Sequence, residues 1–340
     1  MKTQNHRVDI HYHIIPEPYV QALTNRGITG STFVKFPKWT PEKALKQMDG
    51  NLVETAITSL STPGVWFGDS DLARRLSREC NEFQAQMMAD QPGRFRSLAF
   101  LPLPDVDGAL AELEYALDDL EHDGVVLLTD TDGQYLGHPD YEELFAELNH
   151  RGSVVFIHPH NDPRQSRRYG LFSPLLEWPI HTTRAVMDLL YTGRLARYPN
   201  IRYVLAHGGG TLPILAHRIV AGFEHQKGGG ASDQRMEPSG EMGVQDAYHL
   251  LQRLFYDTAG PGEAHLAALQ EFVGPSQVVF GTDGGWTPPV QTAQTIKEVL
   301  AYDGFDDRQL LGIERGNAID LFPRLGKNLN PNEPSKRTGS

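Results

Sequence analysis

The sequence is short of several things, and each shortage removes a class of protein. It has one cysteine, Cys80, so no internal disulfide can form. Because Cys80 sits inside the amphipathic pattern Leu72 to Met88, it reads as a packing residue rather than a reactive thiol. No apolar run approaches the roughly 20 residues needed to cross a bilayer. The start, Met1-Lys2-Thr3-Gln4-Asn5-His6, lacks the apolar segment of a signal peptide, which gives a cytoplasmic location as the expectation. Positive charge is scarce as well: the net charge is −12 and no extended Lys/Arg cluster occurs, which argues against a nucleic-acid partner. Lysine is missing altogether between Lys46 and Lys227.

What is present suits a globular chain with a sizeable core. With 39% hydrophobic residues, 33 glycines and 23 prolines, there is material for many strand, turn and helix junctions. Short β-branched runs recur between longer amphipathic segments, as repeated βα units would require. Eight such runs stand out: Val8 to His13, Thr55 to Leu60, Phe95 to Pro102, Gly124 to Leu128, Ser153 to His158, Ile201 to His207, Leu254 to Thr258 and Gln277 to Thr282. Helices are expected over Asp105 to Leu120, Pro139 to His150, Thr182 to Leu195, Pro213 to Phe223 and Asp307 to Leu321. Strict alternation of eight strands with helices predicts a (β/α)8 TIM barrel over residues 1–325, rather than an open sheet. The first βα connection is overlong and is read as carrying a small insertion at about 27–50, with a helix from Pro41 to Met48. The Gly- and Ser-rich stretch 226–245 is expected to be a lid or an oligomer contact, and 326–340 a disordered tail.

The chemistry gathers at strand ends. In Asp9-Ile10-His11-Tyr12-His13 the alternation of a strand turns His11 and His13 to the same side, which in a barrel is the interior. The fifth run finishes on His158-Pro159-His160, the sixth on His207-Gly208-Gly209-Gly210, and the eighth delivers Asp283. Four strands thus bring imidazole or carboxylate to the rim where barrel enzymes build their sites. His160 and His181 lie close in sequence to this rim and are held as substrate contacts, while His122, His150, His217, His225 and His249 read as surface or packing residues.

The motifs Asp9-Ile10-His11-Tyr12-His13-Ile14-Ile15-Pro16, Phe156-Ile157-His158-Pro159, Leu205-Ala206-His207-Gly208-Gly209-Gly210 and Phe280-Gly281-Thr282-Asp283 resemble the metal-dependent decarboxylase branch of the amidohydrolase superfamily. That branch includes aminocarboxymuconate-semialdehyde, γ-resorcylate and 6-methylsalicylate decarboxylases. The resemblance runs from Val8 to about Phe322 and implies that His11, His13, His158 and Asp283 ligate one divalent metal, with His207 beside it as a catalytic residue. It also implies that Arg218 reaches the neighbouring subunit's substrate pocket in a homodimer or dimer of dimers. The binuclear enzymes of the superfamily bridge their metals with a carboxylated lysine on strand four; here that strand ends Leu127-Leu128-Thr129, so a single metal is expected. Three nitrogens and one carboxylate suit Zn²⁺ first, with Mn²⁺ as the alternative.

Two departures bear on substrate. Some family decarboxylases carry Glu-x-His where this chain has His11 and His13, and Gly284-Gly285-Trp286 replaces the proline and aromatic residues common after the aspartate. Even so, Trp39-Thr40-Pro41-Glu42, Pro63-Gly64-Val65-Trp66-Phe67-Gly68-Asp69 and Leu101-Pro102-Leu103-Pro104-Asp105 look closest to 6-methylsalicylate decarboxylases. The expected reaction is non-oxidative decarboxylation of a salicylate-type acid, with Asp283 protonating the ring carbon and with Trp66, Phe67, Phe172, Trp178 and Trp286 enclosing the ring. The rival is a hydrolase or lactonase in which a metal-activated water attacks a carbonyl and Asp283 is the base. A catalytically silent barrel is the third reading, though a scaffold has no use for the four residues that the family motifs supply.

Overall fold

A computed structural model of the chain describes residues 6–31, 34–160, 173–227, 242–260 and 262–329. Phe172, residues 228–241 of the Gly-rich stretch and residues 330–340 of the expected tail lie outside these. Eight parallel strands run in chain order around one sheet: β1 Arg7–His13, β2 Val53–Ser59, β3 Phe95–Phe100, β4 Gly124–Leu128, β5 Val154–His158, β6 Arg202–Leu205, β7 Phe255–Asp257 and β8 Val278–Val279. The ring is closed by hydrogen bonds beyond the regular ladder. Ile10 N–H donates to the Phe280 carbonyl at 3.0 Å and His13 N–H to the Gly284 carbonyl at 2.8 Å. The buried Asp9 carboxylate reinforces this seam, accepting from the backbone of His11 and Thr282 and from the Thr282 hydroxyl. The fold is therefore a (β/α)8 TIM barrel.

Helices cover the outside: α1 Glu17–Thr24, α2 Pro41–Gly50, α3 Ser70–Asp90, α4 Val106–Glu114, α5 Glu142–His150, α6 Ser173–Tyr191, α7 Leu212–Lys227, α8 Val244–Gln252, α9 Glu263–Phe272 and α10 Pro289–Ala301. Their starts follow from capping chemistry. Thr40 accepts from Lys43 N–H ahead of Pro41, Asp69 from Leu72 N–H, and Asp105 from Gly108 N–H. Cys80 is buried in α3, and burial pushes its thiol up, away from the reactive thiolate. Among the described residues no helix is long and apolar enough to cross a membrane.

Several boundaries differ from the sequence reading, each for a local reason. The expected helix Thr182 to Leu195 begins earlier, at Ser173, and runs through Pro179, which removes one N–H without ending the helix. Asp105 to Leu120 holds an α-helix only to Glu114 and then widens into a π turn at Tyr115–Asp119. Asp307 to Leu321 is likewise interrupted by a π turn at Gly312–Gly316. The first connection holds α1, a small hairpin pairing Gly30–Ser31 with Val34–Lys35, and α2. A helix at Pro323–Leu329 reaches into the segment read as a tail.

Candidate metal centre

The strands stop just short of some of their chemistry. β6 ends at Leu205 and β8 at Val279, so His207 and Asp283 stand on the turns that follow, both with left-handed backbones (φ 55° and 56°). Such a φ is uncommon for residues other than glycine and costs of order 1–3 kcal/mol, a strain that gathers at functional sites. It turns both side chains back over the barrel mouth. His11, His13 and His158 stay on their strands, buried and facing inward.

The three buried imidazoles share one pattern. His11 Nδ1 lies 2.5 Å from Asp257 Oδ2, His13 Nδ1 3.3 Å from the Ser59 carbonyl, and His158 Nδ1 2.6 Å from the Pro159 carbonyl. Carbonyls and carboxylates only accept, so His11 and His158 donate from Nδ1; His13 does the same to the Ser59 carbonyl in the tautomer that frees its Nε2, with the Ser59 hydroxyl also 3.3 Å from its Nδ1. Every Nε2 is then turned toward one point. His11 Nε2 and His13 Nε2 are 3.0 Å apart, and Asp283 Oδ1 lies 3.4 Å from the first and 3.1 Å from the second. One ligand atom from each of His11, His13, His158 and Asp283 falls within 4.8 Å of the others.

Electrostatics supports a cation at that point. Burial, helped by neighbouring imidazoles, holds His158 well below the usual histidine range, and its Nε2 is buried with no hydrogen-bond partner. Burial likewise lowers His13. Burial also opposes charge on His11, but the carboxylates of Asp257 and Asp283 outweigh it and lift His11 to about 10. Asp283 would be pushed up by burial, yet contacts with His11, His13 and His207 hold it well below the ordinary carboxylate range. A proton on His11 answers only part of this arrangement. A divalent cation would use all three nitrogens and the carboxylate at once, so the residues fit a divalent-metal site.

Around the centre, His207 Nε2 is 3.6 Å from Asp283 Oδ2, and its Nδ1 is buried without a partner. The Trp178 ring, on α6, lies 5.7 Å from His158 and 5.9 Å from His207 between centroids. Asp257 also accepts from Gly208 N–H at 3.0 Å, so one carboxylate orients a ligand and the His207 turn together. The sequence reading does not include Asp257, although it ends a barrel strand as His13 and His158 do. Gly281 is required beside it: a Cβ there would stand 2.8 Å from His11 Cβ and 3.2 Å from Asp257 Cβ.

A cavity of about 450 Å³ opens on the same rim, with Trp66, Phe67, Phe100 and Leu128 on its apolar wall and Asp130 and His160 on its polar side. None of the four metal-centre residues lines it, but Leu128 pairs in register with His158, which puts the cavity beside the centre. The expected aromatic enclosure is only partly assembled. Trp66 and Phe67 line the cavity, Trp178 packs on the histidines, and Trp286 instead packs on Phe36 at 5.8 Å. His160 Nε2 lies 2.7 Å from Asp130 Oδ1, and His181 is buried on α6, where burial holds it down at about 4. Arg218 is exposed on α7.

Comparison with known proteins places the chain in a family. A decarboxylase of Aspergillus niger is 32% identical over 94% of this chain and 88% of its own length. A 6-methylsalicylic acid decarboxylase of Aspergillus aculeatus is 34% identical over 94% of this chain and 96% of its own. Among solved structures, a dihydroxybenzoic acid decarboxylase from Polaromonas with bound manganese superposes with a TM-score of 0.77 at 21% identity, covering 94% of this chain and 97% of that one. The amidohydrolase family model matches residues 8–324, and this chain belongs to the amidohydrolase family.

Proposed function

We propose that this protein is a carbon–carbon lyase, a metal-dependent decarboxylase that removes CO₂ without oxidation from a small salicylate-type acid such as 6-methylsalicylate. The observation that carries the reading is the convergence of three Nε2 atoms and the Asp283 carboxylate beside a cavity sized for one substituted ring. The curated relatives, decarboxylases at 32–34% identity over nearly the whole chain, favour this chemistry over hydrolysis. Zn²⁺ is our first assignment from the ligand types; the manganese in the Polaromonas enzyme keeps Mn²⁺ as the alternative.

His11, His13, His158 and Asp283 would hold a divalent ion, which would supply Lewis acidity toward the substrate's oxygens. Asp283 meets the substrate ionised, so it begins as a base. Oδ1 faces the ligand nitrogens, while Oδ2 faces His207 and is the oxygen we assign to proton transfer. It takes the phenolic proton as the acid binds and returns it to the ring carbon that bears the carboxyl group. The carbon–carbon bond then breaks, its electron pair restores the aromatic ring, and CO₂ leaves. His207 steadies the carboxylate through both transfers. Trp66 and Phe67 hold the ring, and His160 presents a polar edge to its substituents.

We also propose a cytoplasmic homodimer, or a dimer of dimers, with Arg218 reaching the neighbouring site. Exposed Leu175 (78%) and Leu176 on α6 and Ile214 (70%) and Leu215 on α7, the helix of Arg218, are apolar surface suited to a subunit contact. Sedimentation decides this: the wild type should run as an oligomer that Ile214→Glu weakens, and a wild-type monomer would refute it.

The reaction itself is tested by incubating metal-loaded protein with 6-methylsalicylate in deuterated water. Release of CO₂ with deuterium at the former carboxyl carbon is expected. If no salicylate-type acid reacts while lactones open, the hydrolase reading replaces this one.

A further inference from the structure

We infer that Asp130, His160 and His181 form a second divalent-cation site, separate from the four-residue centre and set in the polar wall of the cavity. Their ligand atoms lie within 4.8 Å of one another, and all three come from the strand-end side of the barrel. Asp130 is buried on the short hairpin that pairs Asp130–Thr131 with Gln134–Tyr135. Its Oδ2 accepts from Gly133 N–H at 2.9 Å, which fixes Oδ1 toward the two rings, 2.7 Å from His160 Nε2 and 3.2 Å from His181 Nε2.

His181 carries the argument. Its Nδ1 lies 3.2 Å from the His160 carbonyl and 3.0 Å from Thr129 Oγ1. In the tautomer whose Nδ1 donates to that carbonyl, Nε2 keeps its lone pair; the opposite tautomer, with Nδ1 accepting from the Thr129 hydroxyl, would aim an Nε2 proton at Asp130, yet Nε2 makes no hydrogen bond there. That Nε2 is buried, has no hydrogen-bond partner, and faces an anionic oxygen at 3.2 Å. A lone pair turned on a carboxylate in a buried place is unfavourable unless something positive lies between them. The three primary histidines show the same signature, each Nδ1 tied to an oxygen and each Nε2 aimed at a shared point.

Two imidazoles and one carboxylate are a donor set for Zn²⁺, and three protein ligands leave a fourth position open, as in reactive rather than structural sites. Asp130 and His160 both line the cavity, so the open position faces the space bounded by Trp66 and Phe67. An ion there would take an anionic oxygen, carboxylate or phenolate, of an aromatic occupant. Absence of a strand-four lysine excludes a lysine-bridged metal pair but leaves an independent second site unaffected. The inference rests on this geometry and not on the decarboxylase reading.

The test is zinc stoichiometry in the full chain. Protein stripped with a strong chelator is titrated with Zn²⁺ against a chromophoric competitor, and bound zinc is measured by elemental analysis after gel filtration. The wild type should hold two equivalents, and His160→Ala and His181→Gln one each. His158→Gln should lose the other equivalent. Circular dichroism checks folding, and if His181→Gln does not fold, His160→Ala decides, because its side chain forms cavity wall. A wild type with one equivalent that His158→Gln abolishes overturns the inference and leaves the first centre standing. Retention of two equivalents by His160→Ala overturns it as well.

Discussion

At the scale of single residues, two carboxylates divide the work at the centre. In the proposed mechanism Asp283 both binds metal and moves a proton, and its two oxygens face different partners. Asp283→Asn keeps the shape and one ligand oxygen but cannot cycle a proton, so turnover should fall about 10²–10⁴-fold while the fold is unchanged. Steady-state CO₂ release with circular dichroism checks this, and near-wild-type turnover would remove Asp283 from the proton path. Asp257 never reaches the metal point but fixes the tautomer of His11. Asp257→Asn should weaken metal affinity about 10–100-fold, read by competitive titration, and an unchanged affinity would reduce Asp257 to packing. The two were not equally legible in the sequence. His11, His13, His158 and Asp283 stand in recognisable motifs, whereas Asp257 follows Phe255-Tyr256 with no motif around it, and only the barrel's register brings it to His11. Asp130 was hidden similarly, because nothing local ties it to histidines 30 and 51 residues away.

At the scale of elements, the site depends on where strands end. The sequence reading carried strands six and eight through His207 and Thr282; the structure stops them earlier and uses tight turns to aim His207 and Asp283. Alternation identifies inward positions on a strand but contains no information about a left-handed turn, which tertiary contacts impose. The helix expected from Thr182 begins at Ser173 and continues through Pro179, so Trp178 and His181 stand on α6 ahead of the expected start. Gly281, two residues past β8, shows how tightly the chain there approaches β1 and β7 beneath the four-residue centre. Gly281→Ala would force His11 and Asp257 apart, a clash of the kind that costs roughly 1–3 kcal/mol. Lower melting temperature together with reduced zinc occupancy is expected, and a variant with wild-type values for both would show that the seam yields freely.

At the scale of the whole molecule, the barrel and its eight-strand order were readable because each βα unit repeats its own periodicity. Closure could only be inferred, and it is made by backbone hydrogen bonds and by Asp9 between the first and last strands. Acid stability has a component away from the active site. Burial lowers His122 from 6.5 to about 4. Between those pH values the unfolded chain takes up a proton there that the folded chain refuses, so this contribution to stability is lost as pH falls through the window. His122→Gln should flatten the loss of stability from pH 6.5 to 4 by up to roughly 3 kcal/mol relative to wild type. Denaturant melts at both pH values measure it, and parallel losses in the two proteins would refute it.

The central claim is that His11, His13, His158 and Asp283 hold a metal on which decarboxylation depends. Its most direct test is CO₂ release from 6-methylsalicylate by protein before chelation, after chelation, and after Zn²⁺ or Mn²⁺ is restored. Loss on stripping and recovery on restoration are expected, with no recovery in His158→Gln. Undiminished CO₂ release from the metal-free wild type would contradict it.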